Sequence, residues 1–312
     1  MHRISDTELR LLRVFVAVAD AGGFAAAQPA LNIGATTVSN HMASLEERLG
    51  VKLCERGRGG FRLTDKGRIV YDSARRLLEA AEAFRSQAAS LKGTLAGELR
   101  IGLLDSTASD PDSPMIPAIR RFSRRDHQAH LRLSIDGPQE LERLVLDGSL
   151  DLAIGSFPRR VPSLVYTPIY AERQDFYCGR GHRLFGLPEA EIRLDEIRRA
   201  RIVTRGYWNQ HDIVRLDLPA TAAAATVFEM EAQAMLVLSG AYLGFLPAHY
   251  ARQWVERGEL RALLPEALSY DAPFDLVVRR GTRLSQVAAA FAADLLAERP
   301  GAERTGPERT GL

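Results

Sequence analysis

A change of hydrophobic period at residues 92–97 (KGTLAG) constrains this chain more than any single motif. Before it, apolar residues recur at steps of three and four, the spacing that lines one face of a helix. After it, short β-like runs alternate with helical ones, the pattern of a layered α/β domain. A chain of 312 residues with such a break is expected to form more than one domain.

In the first part, TELRLLRVFVAVADA (7–21) reads as a helix with Leu9, Leu12, Val16 and Ala19 on one side, ended by Gly22-Gly23. FAAAQPAL (24–31) reads as a second, short helix. Pro29 inside it removes a hydrogen bond and crowds the preceding turn, which predicts a short or kinked element. NIG then connects tightly to a third helix, 35–49, with Val38, Met42, Leu45 and Leu49 on one face and Gly50 as its stop. Two helices joined by a short Gly-containing turn form a helix-turn-helix. The third helix opens on Thr36, Thr37, Ser39, Asn40 and His41, residues that no core requires.

VKLCERGRGGFRLTDKG (51–67) follows as two β-like pieces around GRGG, a hairpin wing. Lys52, Arg56, Arg58, Arg62, Lys66 and Arg68 cluster here against Glu55 and Asp65. Thr64 is placed to cap a long helix running to about Leu91. Along it, Val70, Ala74, Leu77, Ala81, Phe84, Ala88 and Leu91 fall at alternating steps of four and three, a heptad seam. The seam predicts pairing with another helix, such as its copy in a second subunit; a core helix within one chain is the alternative.

Beyond the break, strand-like runs (ELRIGLL, HLRLSID, DLAIGSF, LVYTPIY, RQDFYCG, RIVTR, YLGFL, FDLVVRR) alternate with helical stretches. The final segment, RPGAERTGPERTGL, repeats ERTG and has little to bury, so residues 299–312 are expected to be a disordered tail.

Composition narrows the class. The net charge is only +2, but residues 1–92 hold 14 Lys and Arg against 10 Asp and Glu. A mildly basic first third suits a nucleic-acid contact. Two distant cysteines, Cys54 and Cys178, form no CxxC pair, which points to a reducing cytoplasm. MHRISDTELR lacks the layout of an export signal. The charge-free run 232–251 is long enough to span a bilayer, but its Gln, Gly, Pro and His residues read better as a helix, a turn and a buried strand. No membrane association is expected.

LRLLRVFVAVADAGGFAAA and ALNIGATTVSNHMASLEERLGVKLCERGRGGFRLTDKG closely resemble the N-terminal part of the LysR-type transcriptional regulators. LERLVLDGSLDLAIG and LVLSGAYLGFLP resemble that family's effector domain, so the likeness covers residues 5–297. It implies a winged helix-turn-helix over 5–64, a dimerising linker helix over 65–92, and a two-lobed α/β domain over 98–297, like periplasmic binding proteins. The lobes are drawn as 98–162 with 274–297, and 163–273. The implied function is a ligand-responsive regulator, not an enzyme, that works without a cofactor. The implied partners are double-stranded promoter DNA, a small-molecule effector, further copies of the chain as homodimer or homotetramer, and RNA polymerase.

A recognition helix presents its N-terminal residues to base edges in the major groove. That assigns Thr36, Thr37, Asn40 and His41 to bases, with Ser39 and Ser44 placed for phosphates and Arg56, Arg58 and Arg62 reaching phosphates from the wing. The family commonly opens this helix with Ser-Gln. Here Gly34-Ala35 stands there, and Ala35 cannot make a bidentate contact to adenine, so an atypical operator is expected. Cys54, where the family often has Phe, reads as a small core residue.

By analogy with the family, the turns after three strands line the effector cleft: Asp105, Ser106 and Thr107, then Ser156 and Phe157, then Thr204 and Arg205. Backbone amides and hydroxyls at such turns can hold a carboxylate, and Arg205 would add a charged pair. The alternative is that Ser and Thr merely cap helices. A small organic anion is the expected ligand class, with Asp105 opposing a second negative group unless it accepts from a ligand hydroxyl. GxSxG and Walker A patterns do not occur. His127 and His130 lack further metal ligands, and Cys178 lacks a resolving partner. An enzyme or solute-binding protein remains the rival class, but it would need a catalytic constellation or an export signal.

Overall fold

The computed structural model describes residues 5–57, 60–90, 95–207, 216–217 and 223–301. The chain divides into two units, 1–92 and 93–312.

In the first unit, helix α1 (Asp6–Asp20) starts on a capping box. The Ser5 hydroxyl accepts from the Glu8 amide, and the Glu8 carboxylate accepts from the Ser5 amide at 2.8 Å. The second helix is shorter than the sequence pattern suggests. Residues 21–27 form turns, and α2 spans only Gln28–Leu31. Pro29 therefore sits in the first helical turn, where its missing N–H has no intrahelical partner to lose. Helix α3 (Ala35–Leu49) buries Val38, Met42 and Leu45 against Leu11, Val14, Phe15 and Val18 of α1. Strands β1 (Cys54–Gly57) and β2 (Gly60–Leu63) pair antiparallel as the wing.

Helix α4 (Asp65–Ser90) begins where the Thr64 hydroxyl accepts from the Gly67 amide at 2.9 Å. A Cβ on Gly67 would lie 1.9 Å from the Leu53 carbonyl oxygen, so the first turn of α4 presses on the wing only because residue 67 is glycine. The heptad seam is shared. Val70 and Ala74 pack into the first unit, whereas Phe84 is 73% exposed. Leu91 lies outside the described residues, as do Arg58 and residues 302–312 of the expected tail.

The second unit opens with β3 (Leu95–Leu103), α5 (Met115–Ser123), β4 (His127–Ile135), α6 (Pro138–Leu146) and β5 (Leu152–Gly155). The long strand β6 (Leu164–Gly179) follows, then α7 (Leu194–Arg198), β7 (Ile202–Arg205) and β8 (Ala223–Val227). Helix α8 (Met230–Leu238), β9 (Leu243–Pro247), α9 (Ala248–Glu256), β10 (Leu260–Ala262) and α10 (Pro265–Leu268) lead to β11 (Tyr270–Arg279) and α11 (Gln286–Ala297). The strand order is β4-β3-β5-β11-β6-β9-β7-β8, with β10 also on β6.

Two cores make two lobes. Leu99, Ile101, Phe122, Leu152 and Phe291 belong to the first, and Phe176, Leu243, Phe245 and Tyr270 to the second. Strands β6 and β11 run through both, paired antiparallel from Tyr270 opposite Gln174 to Arg279 opposite Leu164. The lobe boundary expected at residue 163 is placed later by the packing. Leu164 and Ile169 pack in the first core, because β6 is one continuous strand that changes lobe near Tyr170. A register shift between Phe274 and Asp275 leaves Ile169 without an opposite residue, and this bulge resets which side chains face inward along β6.

Candidate functional site

The first unit presents an exposed polar helix end. Ala35, Thr36, Thr37 and Asn40 are exposed at the start of α3, while Ser39, His41 and Ser44 are half-buried at its flanks. The N-cap Gly34 has no side chain to bond the first-turn amides, so these donors point outward beside the hydroxyls. Exposed Glu47 and Arg48 lie further along the helix, and Arg48 was not singled out from the sequence. On the wing, Arg62 lies opposite Glu55 and pairs with its carboxylate at 2.5 Å, so its charge is already partly met. The backbone of Arg56 pairs with that of Phe61 in the hairpin register.

A carboxylate ties wing to helix. Glu46, near the end of α3, accepts from the Leu53 amide at 2.8 Å and from Lys52 Nζ at 2.8 Å, with the Cys54 amide at 3.4 Å. Burial pushes this carboxyl upward, but Lys52 and the two amides outweigh it and hold it below the usual glutamate value.

In the second unit, a narrow cavity of about 20 Å³ lies where β6 and β11 cross between the lobes, room for a single water molecule. Of the seven residues expected there, Asp105, Ser156 and Arg205 line it. The other four do not. Ser106 holds the turn, with φ of +64°, and the Thr107 hydroxyl donates to the Leu104 carbonyl at 2.8 Å. Phe157 packs edge-on against Tyr166, and Thr204, next to Arg205 on β7, points to the other face of the strand.

Glu172, Gln174 and Tyr207 complete the polar part of the lining, beside the apolar Leu104, Met230, Ala272 and Phe274. Arg205, 6% exposed, donates from Nη2 to Gln174 Oε1 at 3.2 Å, and Gln174 Nε2 donates to Glu172 Oε2 at 2.5 Å. The Ser156 hydroxyl is buried and has no hydrogen-bond partner among the described residues. Asp105 accepts from the Met230 amide at 2.5 Å, a bond from the first lobe to the first residue of α8 in the second. Burial raises the Asp105 carboxyl above the ordinary aspartate value, against the pull of that amide and of Arg205. Glu172 and Gln174 had a readable signal: they share the inward parity of Phe176 and Cys178 on β6, so two polar side chains sit where a strand ordinarily buries apolar ones.

A helix-turn-helix unit joined to a two-lobed unit with a polar cleft defines a ligand-sensing transcription regulator. Residues 9–68 match the family model described as a bacterial regulatory helix-turn-helix protein of the lysR family, and residues 92–300 match the LysR substrate binding domain. The chain belongs to the LysR family of transcriptional regulators. It is 37% identical to the HTH-type transcriptional activator BauR of Pseudomonas aeruginosa, over 93% of this chain and 95% of that protein. It is 30% identical to an SDS degradation transcriptional activation protein of a Pseudomonas species, over 93% and 96%. A solved structure of full-length CbnR with its target DNA shares the fold at a TM-score of 0.61 and 21% identity, covering 93% of this chain and 99% of that one. None of the described helices is long and apolar enough to cross a membrane.

Proposed function

We propose that this regulator reads promoter DNA in the cytoplasm through the N-terminal half of α3 and responds to a small carboxylate held between its lobes. The observation that carries the DNA reading is the exposed row Ala35, Thr36, Thr37 and Asn40 standing on the buried Val38, Met42 and Leu45. Thr and Asn reach base edges, Ser39 and Ser44 reach phosphates, and the arginines of the wing add neutralising charge. Activation is the favoured outcome, because both full-length relatives above are named as activators or activation proteins.

For the ligand, the buried guanidinium of Arg205 and the hydroxyl of Ser156 supply donors for one carboxylate. Asp105 and Glu172 line the same cavity, so a second negative group is disfavoured and a hydroxyl or amine at the far end is favoured. At about 20 Å³ the cavity is too small for such a molecule, so the lobes separate to admit it and close on it. Thermal-shift screening of small hydroxy and amino carboxylates tests this. A ligand should raise the melting temperature of the wild type and not that of Arg205→Gln. A shift kept in full by Arg205→Gln would move the site elsewhere. Fluorescence anisotropy with the upstream intergenic DNA tests the other half.

A further inference from the structure

Beside the cleft, three side chains from three elements converge. His249 Nε2, on α9, lies 3.0 Å from Glu172 Oε1 on β6 and 3.7 Å from Asp110 Oδ2, which follows the first-lobe turn. All three side chains are at most 5% exposed. The Asp110 Oδ2 atom is buried without a hydrogen-bond partner. Its other oxygen accepts from the Asp112 amide at 3.0 Å. The Tyr170 hydroxyl lies close enough to Asp110 and Ser113 to interact with both, but outside good hydrogen-bond geometry.

The protons around His249 can be assigned from its neighbours. The Ser109 hydroxyl donates to the Ser106 carbonyl at 3.0 Å, so toward His249 Nδ1, also 3.0 Å away, it acts as acceptor. Nδ1 therefore carries the ring proton. Nε2 then faces two carboxylate oxygens, an arrangement that requires a positive species between them, either a proton or a metal ion. Two ligands about 2.1 Å from one ion stand roughly 3.0–3.4 Å apart at octahedral or tetrahedral angles. The observed separations of 3.0 and 3.7 Å bracket that range. An Nδ1–H donated to an oxygen is also how a ligating histidine is ordinarily oriented.

We infer that His249, Glu172 and Asp110 form a site for one divalent transition ion of the Zn²⁺ class, fastening the two lobes at the edge of the cleft. One imidazole and two carboxylates suit such an ion, and its charge cancels the two buried carboxylates. Glu172 is shared with the cleft: its second oxygen accepts from Gln174, which accepts from Arg205. The ion thus fixes the rotamer of Glu172 and, through Gln174, the position of the guanidinium. Ion binding itself does not depend on what the cleft's organic ligand is.

The test uses tag-free full-length protein, stripped with a chelator and titrated with Zn²⁺ alone by calorimetry, with Co²⁺ absorption as a second readout. About one ion per chain is expected in the wild type and in the control His127→Gln. Binding should be lost in Asp110→Asn and His249→Gln, each checked by circular dichroism to keep the metal-free fold. If a variant does not fold, Glu172→Gln takes its place. Absence of stoichiometric Zn²⁺ binding by the wild type means that only a proton occupies the site, and the inference fails. It fails equally if Asp110→Asn and His249→Gln bind Zn²⁺ as the wild type does. Because the readout is the metal alone, failure of the carboxylate hypothesis would leave these outcomes unchanged.

Discussion

Asp105 and Met230 meet across the cleft, the carboxylate of one lobe accepting from the first-turn amide of a helix in the other at 2.5 Å. The bond pairs an anion with the positive end of α8 and holds the lobes together without a ligand. Removing the acceptor in Asp105→Ala leaves that amide bare and should cost about 1 kcal/mol of stability, read as a lower melting temperature. Asp105→Asn keeps an acceptor and should melt near the wild type at neutral pH. Folding raises the Asp105 carboxyl, so its contribution is greatest below the ordinary aspartate value and fades as pH rises through its folded value. The wild type should show this loss from roughly pH 4 upward, and Asp105→Asn should not. Identical pH profiles would remove Asp105 as the cause.

Glu46 behaves with the opposite sign. Its carboxyl is held low, so the stability it adds is present above the ordinary glutamate value and is lost as pH falls through the folded one. Glu46→Gln removes the ion pair with Lys52 and weakens the bonds to Leu53 and Cys54. A loss of about 1–3 kcal/mol is expected for the DNA-binding unit, together with weaker DNA binding as the wing loses its attachment to α3. Chemical denaturation at neutral and acid pH, with anisotropy alongside, measures both.

On DNA, substitutions at Thr37 or Asn40 should change base preference, at a cost of about 1–3 kcal/mol for the affected position. Wing substitutions should act on all sequences alike and reduce the salt slope, Arg58→Ala among them. Glu55→Gln should tighten binding, because it releases Arg62 from its ion pair. Binding-site selection and salt titrations separate these effects. An unchanged selected motif for both Thr37 and Asn40 variants would refute the assignment of α3 to base reading.

The part of α4 around the exposed Phe84 should carry self-association. Phe84→Asp replaces a side chain that is 73% exposed, so the single chain should keep its stability while the assembly dissociates. Ala74→Asp should instead unfold the first unit, since Ala74 is 3% exposed within it. Light scattering and thermal melts distinguish the two, and an intact oligomer in Phe84→Asp would count against the seam.

Cys178 should be chemically silent. It is fully buried, and burial pushes its thiol up to about 11. Thiolate is the reactive form, so a chromogenic disulfide reagent should modify Cys178 only after unfolding. Rapid modification of Cys178 in the native protein would reopen a redox role.

The helical periodicity of the first unit makes its element layout legible but misplaces the buried face of α1: the spacing points to Leu9, Leu12, Val16 and Ala19, whereas the core takes Leu11, Val14, Phe15 and Val18. Val38, Met42 and Leu45 mark the buried face of α3, and Thr64 is the cap it was read to be. The second helix was overread, because the alanines of 24–27 favour helix while local turns took the segment instead. In the second unit, strand ends point to Asp105, Ser156 and Arg205, which line the interlobe cavity. They do not show which neighbour of each points inward, and Ser106, Thr107, Phe157 and Thr204 lie outside that lining. Glu172 and Gln174 share the inward alternation of Phe176 and Cys178 on β6, but His249 and Asp110 reach Glu172 from elements far apart in sequence, which strand alternation does not show.

The two strands that pass through both lobes have a mechanical consequence. Opening the cleft without unfolding a core must twist or bend the paired ribbon Tyr170–Gln174 and Tyr270–Phe274, which has no loop to absorb the motion. The ribbon is therefore expected to bend as a torsion spring shared by both lobes. A ligand, an ion or a substitution anywhere along it is read out as the same angle. Stiffening or loosening that spring, for instance at the bulge beside Ile169, should reset the sensitivity of the regulator without altering a single ligand contact.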